Sequence, residues 1–309
     1  MELFYDITHQ EKPCCIALGF FDGMHTGHQR LMLSMKEYAR ENSLCPCVFT
    51  FSDSPCAMLG KSESRALQTF EQRIDTISEY SGAEKCFAVD FMKYKDVTAA
   101  EFAEDILIGK LNARAVFCGF NFHFGKNAEG NTAILSELCK KHGVSAFITD
   151  PVCSDGETVS STRVRRLIRE GRIAAANELL ARPFRIEGVI MHGRKNGRKM
   201  GIPTVNQAIP DDFIVPRFGV YASHVNVDGT KYRSITNIGT RPTVNGNSIN
   251  CETHILDKFS GELYGKNVCT ELLWFERDER RFNDLSQLAE QIRCDIENIS
   301  KLDVYNRGF

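Results

Sequence analysis

The sequence predicts an α/β protein with two unlike domains: a first domain built on a parallel sheet, then an antiparallel β domain with a terminal helix. The first prediction rests on short apolar strands that alternate with amphipathic helices up to about residue 182. The second rests on a change after Pro183 to short alternating strands separated by Gly, Asn and Asp turns. The length of 309 residues also suits two domains. We therefore place the domains at residues 1–182 and 183–309.

Five apolar runs predict the strands of the first domain, and a helical pattern follows each of them. The runs are residues 14–20, 47–51, 86–89, 115–118 and 146–148. Strands and helices in alternation form βαβ units and a parallel sheet, which binds ligands at the carboxyl ends of its strands. Two more helices, at about 162–170 and 173–181, complete this half.

Five short strands with β-branched or aromatic residues predict the second domain. They are residues 185–191, 220–225, 232–237, 250–256 and 268–274. Turn dipeptides such as Asp228-Gly229 separate them, a pattern typical of an antiparallel barrel or sandwich. A last helix is predicted at about 284–301, where apolar residues recur at helical spacing.

The charge and the apolar pattern exclude several classes of function. The 38 basic and 40 acidic residues give a net charge of -2, without the positive excess of a dedicated nucleic-acid-binding protein. No apolar run approaches the ~18–20 residues of a membrane-spanning helix, and the first residues do not resemble a signal peptide. We expect a cytoplasmic monomer or weak homo-oligomer that binds neither nucleic acid nor membrane. Its 12 cysteines are expected to be mostly free and buried.

A glycine-rich segment at residues 19–28, GFFDGMHTGH, stands where the first strand passes into the first helix. Glycine permits close backbone approach, and the helix N-terminus offers free N–H groups and a partial positive charge. His25 and His28 are three residues apart, so both can face one phosphate there. The segment predicts a phosphate-binding loop.

A second segment, SSTRVR at residues 160–165, begins a predicted helix. Ser161 or Thr162 can cap that helix, and Arg165 can face the same anion from one turn further on. A capped basic helix exposed to solvent is the alternative interpretation of this segment.

Together, the two segments resemble the H-x-G-H and S-S-T-x-x-R motifs of the nucleotidyltransferase superfamily, which has a Rossmann-like fold and transfers adenylyl groups from ATP. The resemblance implies a catalytic role for His25, His28 and Arg165. It also implies that ATP is bound by a set of loop and helix residues: Gly19, Phe20, Asp22, Gly23, Ser161 and Thr162.

A third segment, CGFNFHFG at residues 118–125, follows the fourth predicted strand. Its aromatic residues around Asn121 suit a flat heteroaromatic ring that needs stacking and a hydrogen bond at its edge. The segment resembles one in the bacterial bifunctional riboflavin kinase/FAD synthetases, which implies that Asn121 and Phe124 contact the flavin. Phe120, Phe122 and Phe124 can also alternate into the core.

In the second half, GIPTVN at residues 201–206 resembles the G-x-P-T-x-N motif of riboflavin kinases. The resemblance implies that Thr204 and Asn206 bind Mg²⁺ and that Gly201 and Pro203 contact the nucleotide. A basic, glycine-rich stretch precedes the motif, in which Gly188 and Lys195 are assigned to the phosphates. A solvated hairpin is the alternative for that stretch.

Three further segments extend the resemblance, which runs from about residue 14 to 300. They are residues 237–243 (NIGTRPT), 251–257 (CETHILD) and 275–282 (FERDERRF). The resemblance implies that Glu252 is the base that accepts the proton of the riboflavin 5′-hydroxyl. It also implies flavin contacts for Asn237 and Arg277.

The resemblance implies two reactions. The second domain would phosphorylate riboflavin with ATP to give FMN, and the first would adenylylate FMN with a second ATP to give FAD and pyrophosphate. Ser54 stands where the family usually has the histidine of a Pro–His–Pro stretch. This departure keeps a kinase-only enzyme open as an alternative. A non-catalytic flavin-binding regulator is the other alternative, although it would need neither Glu252 nor the metal ligands.

Overall fold

A computed structural model describes residues 1–60, 65–191, 204–243, 246–259, 261, 263–280, 282, 284–301 and 305. The chain divides into two compact units, Met1–Ser161 and Thr162–Phe309. The sequence places its domain boundary later, at residue 182. Each unit is described by itself below.

The first unit contains a six-stranded sheet and two short hairpins. Its strands are β1 (Glu2–Phe4), β2 (Cys14–Leu18), β3 (Cys45–Phe51), β4 (Lys85–Val89), β5 (Ala113–Gly119), β6 (His123–Phe124), β7 (Gly130–Asn131), β8 (Ser145–Thr149), β9 (Cys153–Ser154) and β10 (Glu157–Thr158). The sheet has the order β1-β4-β3-β2-β5-β8, and all its described pairs are parallel. The predicted parallel sheet is confirmed, with β1 as an edge strand that the sequence pattern did not reveal.

Helices cover the sheet of the first unit. They are α1 (Thr26–Asn42), α2 (Pro55–Met58), α3 (Phe70–Ser81), α4 (Phe91–Tyr94), α5 (Ala99–Glu101), which continues as a π-helix over Phe102–Lys110, and α6 (Thr132–Lys141). Local signals set the ends of α3. A capping box between Thr69 and Gln72 begins it, and Gly82 with φ 60° ends it in the left-handed region.

Strand β2 is buried on both faces, as a central parallel strand should be. Its alternate residues enter two apolar clusters on opposite faces of the sheet. Ile16 and Leu18 lie in one cluster and Cys15 and Ala17 in the other. Small thiols let both layers approach β2 closely, and burial raises the pKa of Cys15 to about 12, so it stays a neutral thiol.

The second unit is a closed antiparallel barrel with helices at both ends of its sequence. Helix α7 (Ser161–Arg169) starts at the last residue of the first unit and is followed by α8 (Ile173–Leu180). The strands are β11 (Phe184–Met191), β12 (Thr204–Ala208), β13 (Gly219–Val227), β14 (Thr230–Thr243), β15 (Gly246–Ile255) and β16 (Asn267–Asp278). They close in the order β11-β12-β15-β14-β13-β16. Helix α9 (Leu285–Ser300) ends the fold.

This architecture confirms the predicted antiparallel barrel and terminal helix and adds β12, which the sequence pattern did not reveal. Helix α8 is tied to the barrel by Asn177, whose side chain donates to the Leu272 carbonyl at 2.8 Å and accepts from the Phe184 amide at 2.8 Å. The asparagine is fully buried, so these bonds satisfy it.

The interior of the barrel contains a chain of buried hydroxyl groups. Ser223 Oγ lies 2.8 Å from Ser234 Oγ and 2.7 Å from Thr236 Oγ1, which lies 2.8 Å from Thr253 Oγ1. All four residues are fully buried. Because an unpaired buried hydroxyl is costly, this chain favours one register between β13, β14 and β15.

Candidate active sites

The loop between β2 and α1 holds the first set of predicted site residues. Phe21 and Met24 have positive φ angles of 59° and 39°, and both side chains are buried in the core. Non-glycine residues rarely adopt such angles unless the surrounding structure holds them there. The two buried side chains therefore anchor the loop in the core. The loop itself follows β2, at the carboxyl edge of the sheet.

Asp22 holds this loop to residues before α3. Its carboxylate accepts the main-chain N–H of Leu67 at 3.0 Å and of Gln68 at 3.2 Å, and the residue is buried. Gly23 in turn donates its N–H to Gln68 Oε1 at 3.0 Å. The two nucleotide contacts predicted at Asp22 and Gly23 thus also build the loop. Gln68 was missed because it belongs to no motif in the sequence.

The two histidines of the loop form one stacked pair. His25 is the N-cap of α1, and its Nδ1 accepts the main-chain N–H of His28 at 3.4 Å. The ring centroids lie 3.7 Å apart with 19° between the planes. A Cβ at Gly27 would come within 3.2 Å of the His25 ring, so the glycine between the histidines leaves room for the stack.

His28 is held in its neutral form. Burial, reinforced by the neighbouring His25, lowers the pKa of His28 well below its ordinary value of 6.5. Its Nδ1 is buried and has no hydrogen-bond partner among the described residues. A buried lone pair costs less than a buried unpaired N–H, so the favoured tautomer carries its proton on Nε2. His28 can therefore donate a hydrogen bond without carrying a charge.

The start of α7 is joined to this loop. Ser161 Oγ donates to the main-chain oxygen of Asp22 at 2.8 Å, so the hydroxyl is bonded to the loop. Thr162 and Arg165 follow on the same helix, with Arg165 one turn after Ser161. The structure thus brings Ser161, the last residue of the first unit, to the loop that holds the first predicted ATP motif.

The aromatic segment after β5 divides into exposed and buried residues. Asn121 is exposed, and so is the Phe120 ring at 45%. Phe124 is buried, stacks on Phe122 with centroids 5.6 Å apart, and packs on Phe102. The alternation that the sequence allowed is therefore present, with Phe124 in the core and Phe120 at the surface.

The segment after β3 contains Ser54 where the resemblance implies a histidine. Ser54 is the N-cap of α2, where its Oγ accepts the Ala57 N–H at 3.4 Å. The side chain is thus used for the short helix, and no imidazole stands at this position.

In the barrel, three predicted residues lie side by side. Asn206 on β12 is paired with Glu252 on β15, and Glu252 is paired with Asn237 on β14. Residues directly opposite in antiparallel strands share one face of the sheet, so the three side chains form a row. Asn206 is buried and Glu252 is half-buried. The row is the candidate kinase site.

Asn250 completes this row, although the sequence did not identify it. Its Nδ2 donates to Asn206 Oδ1 at 2.7 Å, and the bond is buried. The residue lies two positions before Glu252 on β15, hence on the same face of the strand. The hydrogen bond sets the direction in which Asn206 presents its oxygen.

Arg277, predicted to contact the flavin, forms an ion pair with Asp295. Its Nε donates to Asp295 Oδ1 at 2.8 Å and its Nη2 to Asp295 Oδ2 at 2.5 Å. Gln291 donates to the same carboxylate at 2.9 Å. Both charged side chains are largely buried, at 13% and 2% exposure. This bidentate pair joins the end of β16 to α9.

Of the remaining predicted residues, only some lie in the described part of the chain. Gly188 lies on β11, paired with Val268 of β16. Lys195, Gly201 and Pro203 lie outside the described residues. Thr204 begins β12 opposite His254, but its side chain also lies outside the described part.

Within the described ranges, no group of three or more His, Cys, Asp or Glu side chains could hold a metal ion. The predicted Mg²⁺ ligands, a threonine and an asparagine, are of other residue types. No described helix combines the length and the hydropathy needed to cross a bilayer.

In the comparisons with known proteins, two family models match different parts of the chain. The FAD synthetase family model matches residues 7–163, and the riboflavin kinase family model matches residues 180–302. The chain is 33% identical over 298 residues to the bifunctional riboflavin kinase/FMN adenylyltransferase of Bacillus subtilis (strain 168), which covers 94% of this chain and 92% of the relative.

The chain belongs to the bifunctional riboflavin kinase/FMN adenylyltransferase family. Its similarity to the member from Escherichia coli (strain K12) is 32% over 288 residues, with 92% of this chain and 91% of the relative covered. A crystal structure from Streptococcus pneumoniae, described as a macrolide-efflux protein, matches with a TM-score of 0.88 at 28% identity. The match covers 97% of this chain and 99% of that chain. The fold of that crystal structure therefore extends over nearly the whole of this chain.

Proposed function

We propose that this family member makes FAD from riboflavin in two ATP-dependent steps, and that each domain performs one of them. Residues 183–309 transfer the γ-phosphoryl group of ATP to the riboflavin 5′-hydroxyl, which gives FMN and ADP. Residues 1–182 join FMN to the adenylyl group of a second ATP, which gives FAD and pyrophosphate. The observation that carries the proposal is the row of Asn206, Glu252 and Asn237 in a chain that also matches the FAD synthetase family.

In the kinase step, Glu252 accepts the proton of the 5′-hydroxyl as the oxygen bonds to phosphorus. Asn237 lies beside Glu252 and is assigned to the flavin that carries this hydroxyl. In this proposal, the base lies next to the residue that orients its substrate. Little covalent chemistry is required of the protein, so positioning supplies most of the catalysis.

Asn206 and Thr204 are assigned to Mg²⁺. An amide oxygen has two lone pairs, so the hydrogen bond from Asn250 leaves Asn206 Oδ1 able to bind a cation. Amide and hydroxyl oxygens suit this hard ion, which keeps water and phosphate oxygens as its other ligands. When bound, Mg²⁺ neutralises charge on the ATP phosphates.

In the adenylyl step, the FMN phosphate is the nucleophile, so no protein nucleophile is required. The phosphate oxygen attacks the α-phosphorus of ATP, and the bond to the pyrophosphate oxygen breaks. We assign His28 as a neutral hydrogen-bond donor to the reacting phosphates, with His25 stacked against it. Positive charge then comes from Arg165 and from the N-terminus of α1.

The flavin of the adenylyl step is assigned to Asn121, which is exposed at the carboxyl edge of the sheet. Phe124 supports this segment from the core, and the exposed Phe120 ring is available for stacking. In the barrel, the Arg277 guanidinium supports the flavin site indirectly, through its ion pair with Asp295.

A kinase-only enzyme is the second candidate, and Ser54 favours it. That side chain caps α2 in place of the imidazole found in the family.

For the location and oligomeric state of the enzyme, we infer a cytoplasmic monomer or weak homo-oligomer. Free cysteines in the described part of the chain support a reducing compartment.

A time course separates the candidates. The protein is incubated with riboflavin, ATP and Mg²⁺, and the flavins are separated chromatographically. Riboflavin converted to FMN and then to FAD supports both activities. Accumulation of FMN alone selects the kinase-only enzyme, and binding of riboflavin without conversion selects the flavin-binding regulator. A chain that neither binds nor converts flavin overturns the proposal.

A further inference from the structure

Helix α3 carries a buried arginine that no predicted motif contains. Arg73 is 2% exposed and lies four residues after the N-cap Thr69. Its Nη1 donates to the Phe20 carbonyl at 3.0 Å and to Thr50 Oγ1 at 2.8 Å. Its Nη2 donates to the carbonyls of Phe51 at 2.7 Å and Ser52 at 2.9 Å.

These four acceptors lie at the carboxyl ends of two neighbouring strands. Phe20 follows β2, whereas Thr50, Phe51 and Ser52 lie at the end of β3 and just after it. Thr50 Oγ1 also donates to the Phe20 carbonyl at 3.2 Å, which closes a small network. In a parallel sheet the ligand binds at these ends, so the guanidinium joins the two segments that border the adenylyl site.

Arg73 also packs against the ring of Phe20. Its guanidinium carbon lies 4.1 Å from the centroid of that ring and 5.6 Å from the centroid of Phe70. Stacking on an arginine face restrains an aromatic ring that is otherwise only half-buried. One side chain thus fixes both the main-chain oxygen and the ring of a predicted nucleotide contact.

The chemistry of these contacts requires an arginine. The planar guanidinium reaches four acceptors in two directions at once, whereas the single ammonium of lysine cannot. Burial lowers the pKa of Arg73 to about 10, while Asp22 and Asp53 act in the opposite direction, so the group remains charged at neutral pH.

We propose that Arg73 is a positioning residue for the adenylyl step, which holds Phe20 and the segment after β3 in place and touches neither substrate. The inference rests on the proposed adenylyl transfer in the first domain. It also explains how the segment after β3, which lacks the family histidine, keeps a defined conformation. The carbonyls of Phe51 and Ser52 accept hydrogen bonds from Arg73 of α3.

The test compares Arg73→Lys and Arg73→Gln with the unmutated chain, with FMN and ATP as substrates. We expect kcat/KM of FAD formation to fall by the order of 10²-fold in both variants, because misplacement of about 1 Å costs that much. Since the arginine orders Phe20, a predicted nucleotide contact, KM for ATP should rise as well as kcat fall. Riboflavin phosphorylation, measured on the same protein, should stay within about twofold.

The control variant Ile77→Ala distinguishes a loss of stability from a loss of positioning. Ile77 is fully buried one turn further along α3, so this change opens a cavity beside the same helix but removes no hydrogen bond to Phe20 or to the segment after β3. Far-UV circular dichroism gives the temperature at which all variants are folded, and the kinetics are measured there. At that temperature, Ile77→Ala should keep the kinetics of FAD formation.

Three results are decisive. If Arg73→Lys forms FAD with unchanged KM and kcat, the proposal is wrong, because charge alone then suffices. It is also wrong if Ile77→Ala loses as much activity as the arginine variants while folded. If the unmutated chain forms no FAD, the proposed adenylyl step itself fails, an outcome seen before any variant is made.

Discussion

Asn250 Nδ2 donates a hydrogen bond of 2.7 Å to Asn206 Oδ1 between neighbouring barrel strands. The acceptor is the oxygen assigned to Mg²⁺, and the donor stands two residues before the assigned base Glu252. Partners of this kind orient a metal ligand, and their loss commonly weakens metal affinity by about 10–100-fold.

We therefore expect Asn250→Ala to raise the Mg²⁺ concentration needed for half-maximal FMN formation by about tenfold. A Mg²⁺ titration of the kinase reaction measures this. Binding of Mn²⁺ in the presence of ADP, followed by electron paramagnetic resonance, checks it without turnover. Asn226→Ala is the matched control, because that half-buried asparagine lies on β13, away from the row. An unchanged metal requirement in Asn250→Ala would contradict the orienting role.

Glu252→Gln should abolish FMN formation and leave the conversion of added FMN to FAD intact. The amide keeps the shape of the side chain but cannot accept the proton at neutral pH. Chromatographic assays with riboflavin and with FMN measure the two steps separately. Glu290→Gln, an exposed change on α9, serves as the control and should affect neither step. Full kinase activity in Glu252→Gln would remove this glutamate from the mechanism.

His28→Ala should give the reciprocal result, with FMN accumulating and no FAD formed. The alanine removes the neutral donor at the N-terminus of α1 and the partner of the stacked His25. The measurement is a time course from riboflavin. His142→Ala is the control, because that half-exposed histidine pairs with Glu104 outside the loop. FAD produced at the unmutated rate would refute the role of His28.

The lowered pKa of His28 predicts a pH dependence of stability. Below pH 6.5 the unfolded chain binds a proton at this residue, whereas the folded chain leaves it neutral. The free energy of unfolding should thus fall as the pH drops below about 6.5, by at most about 1.4 kcal/mol per pH unit from this group. Urea denaturation at about pH 7.5 and pH 5.5, followed by circular dichroism, measures the loss.

His28→Asn provides the comparison for this pH effect, because it removes this imidazole and leaves the rest of the sequence unchanged. Its unfolding free energy should fall less between the two pH values. Equal losses in the two proteins would show that His28 is not held neutral.

The local pattern of the sequence determined much of the fold. Apolar residues along β2 and turn residues such as Asp228 and Gly229 act within a few positions, so they can be recognised without the structure. Within the six-stranded sheet and the barrel, the strands that were not predicted are β1 and β12, which have three and five residues. Segments this short become strands because neighbouring strands offer them hydrogen-bond partners.

The motifs likewise identified residues of both sites, because glycines, histidines and a glutamate at fixed spacing carry chemistry that any fold must present. The motifs could not show which contacts those residues make in the folded chain. Phe124 was assigned to the flavin and is buried in the core, while Arg277 was assigned to the flavin and pairs with Asp295. Phe102 packs on Phe124 and Asp295 pairs with Arg277, and neither partner belongs to a motif of the sequence.

By itself, the sequence determined the order of elements, the two kinds of domain and the residues that carry the chemistry. Only the tertiary structure decided which of these residues meet: Ser161 with Asp22 across 139 positions, and Asn206 with Glu252 and Asn237 across three strands. The physical reason is that strand order and register follow from the packing of the whole core. Contacts at the site are therefore set by residues far from the motifs.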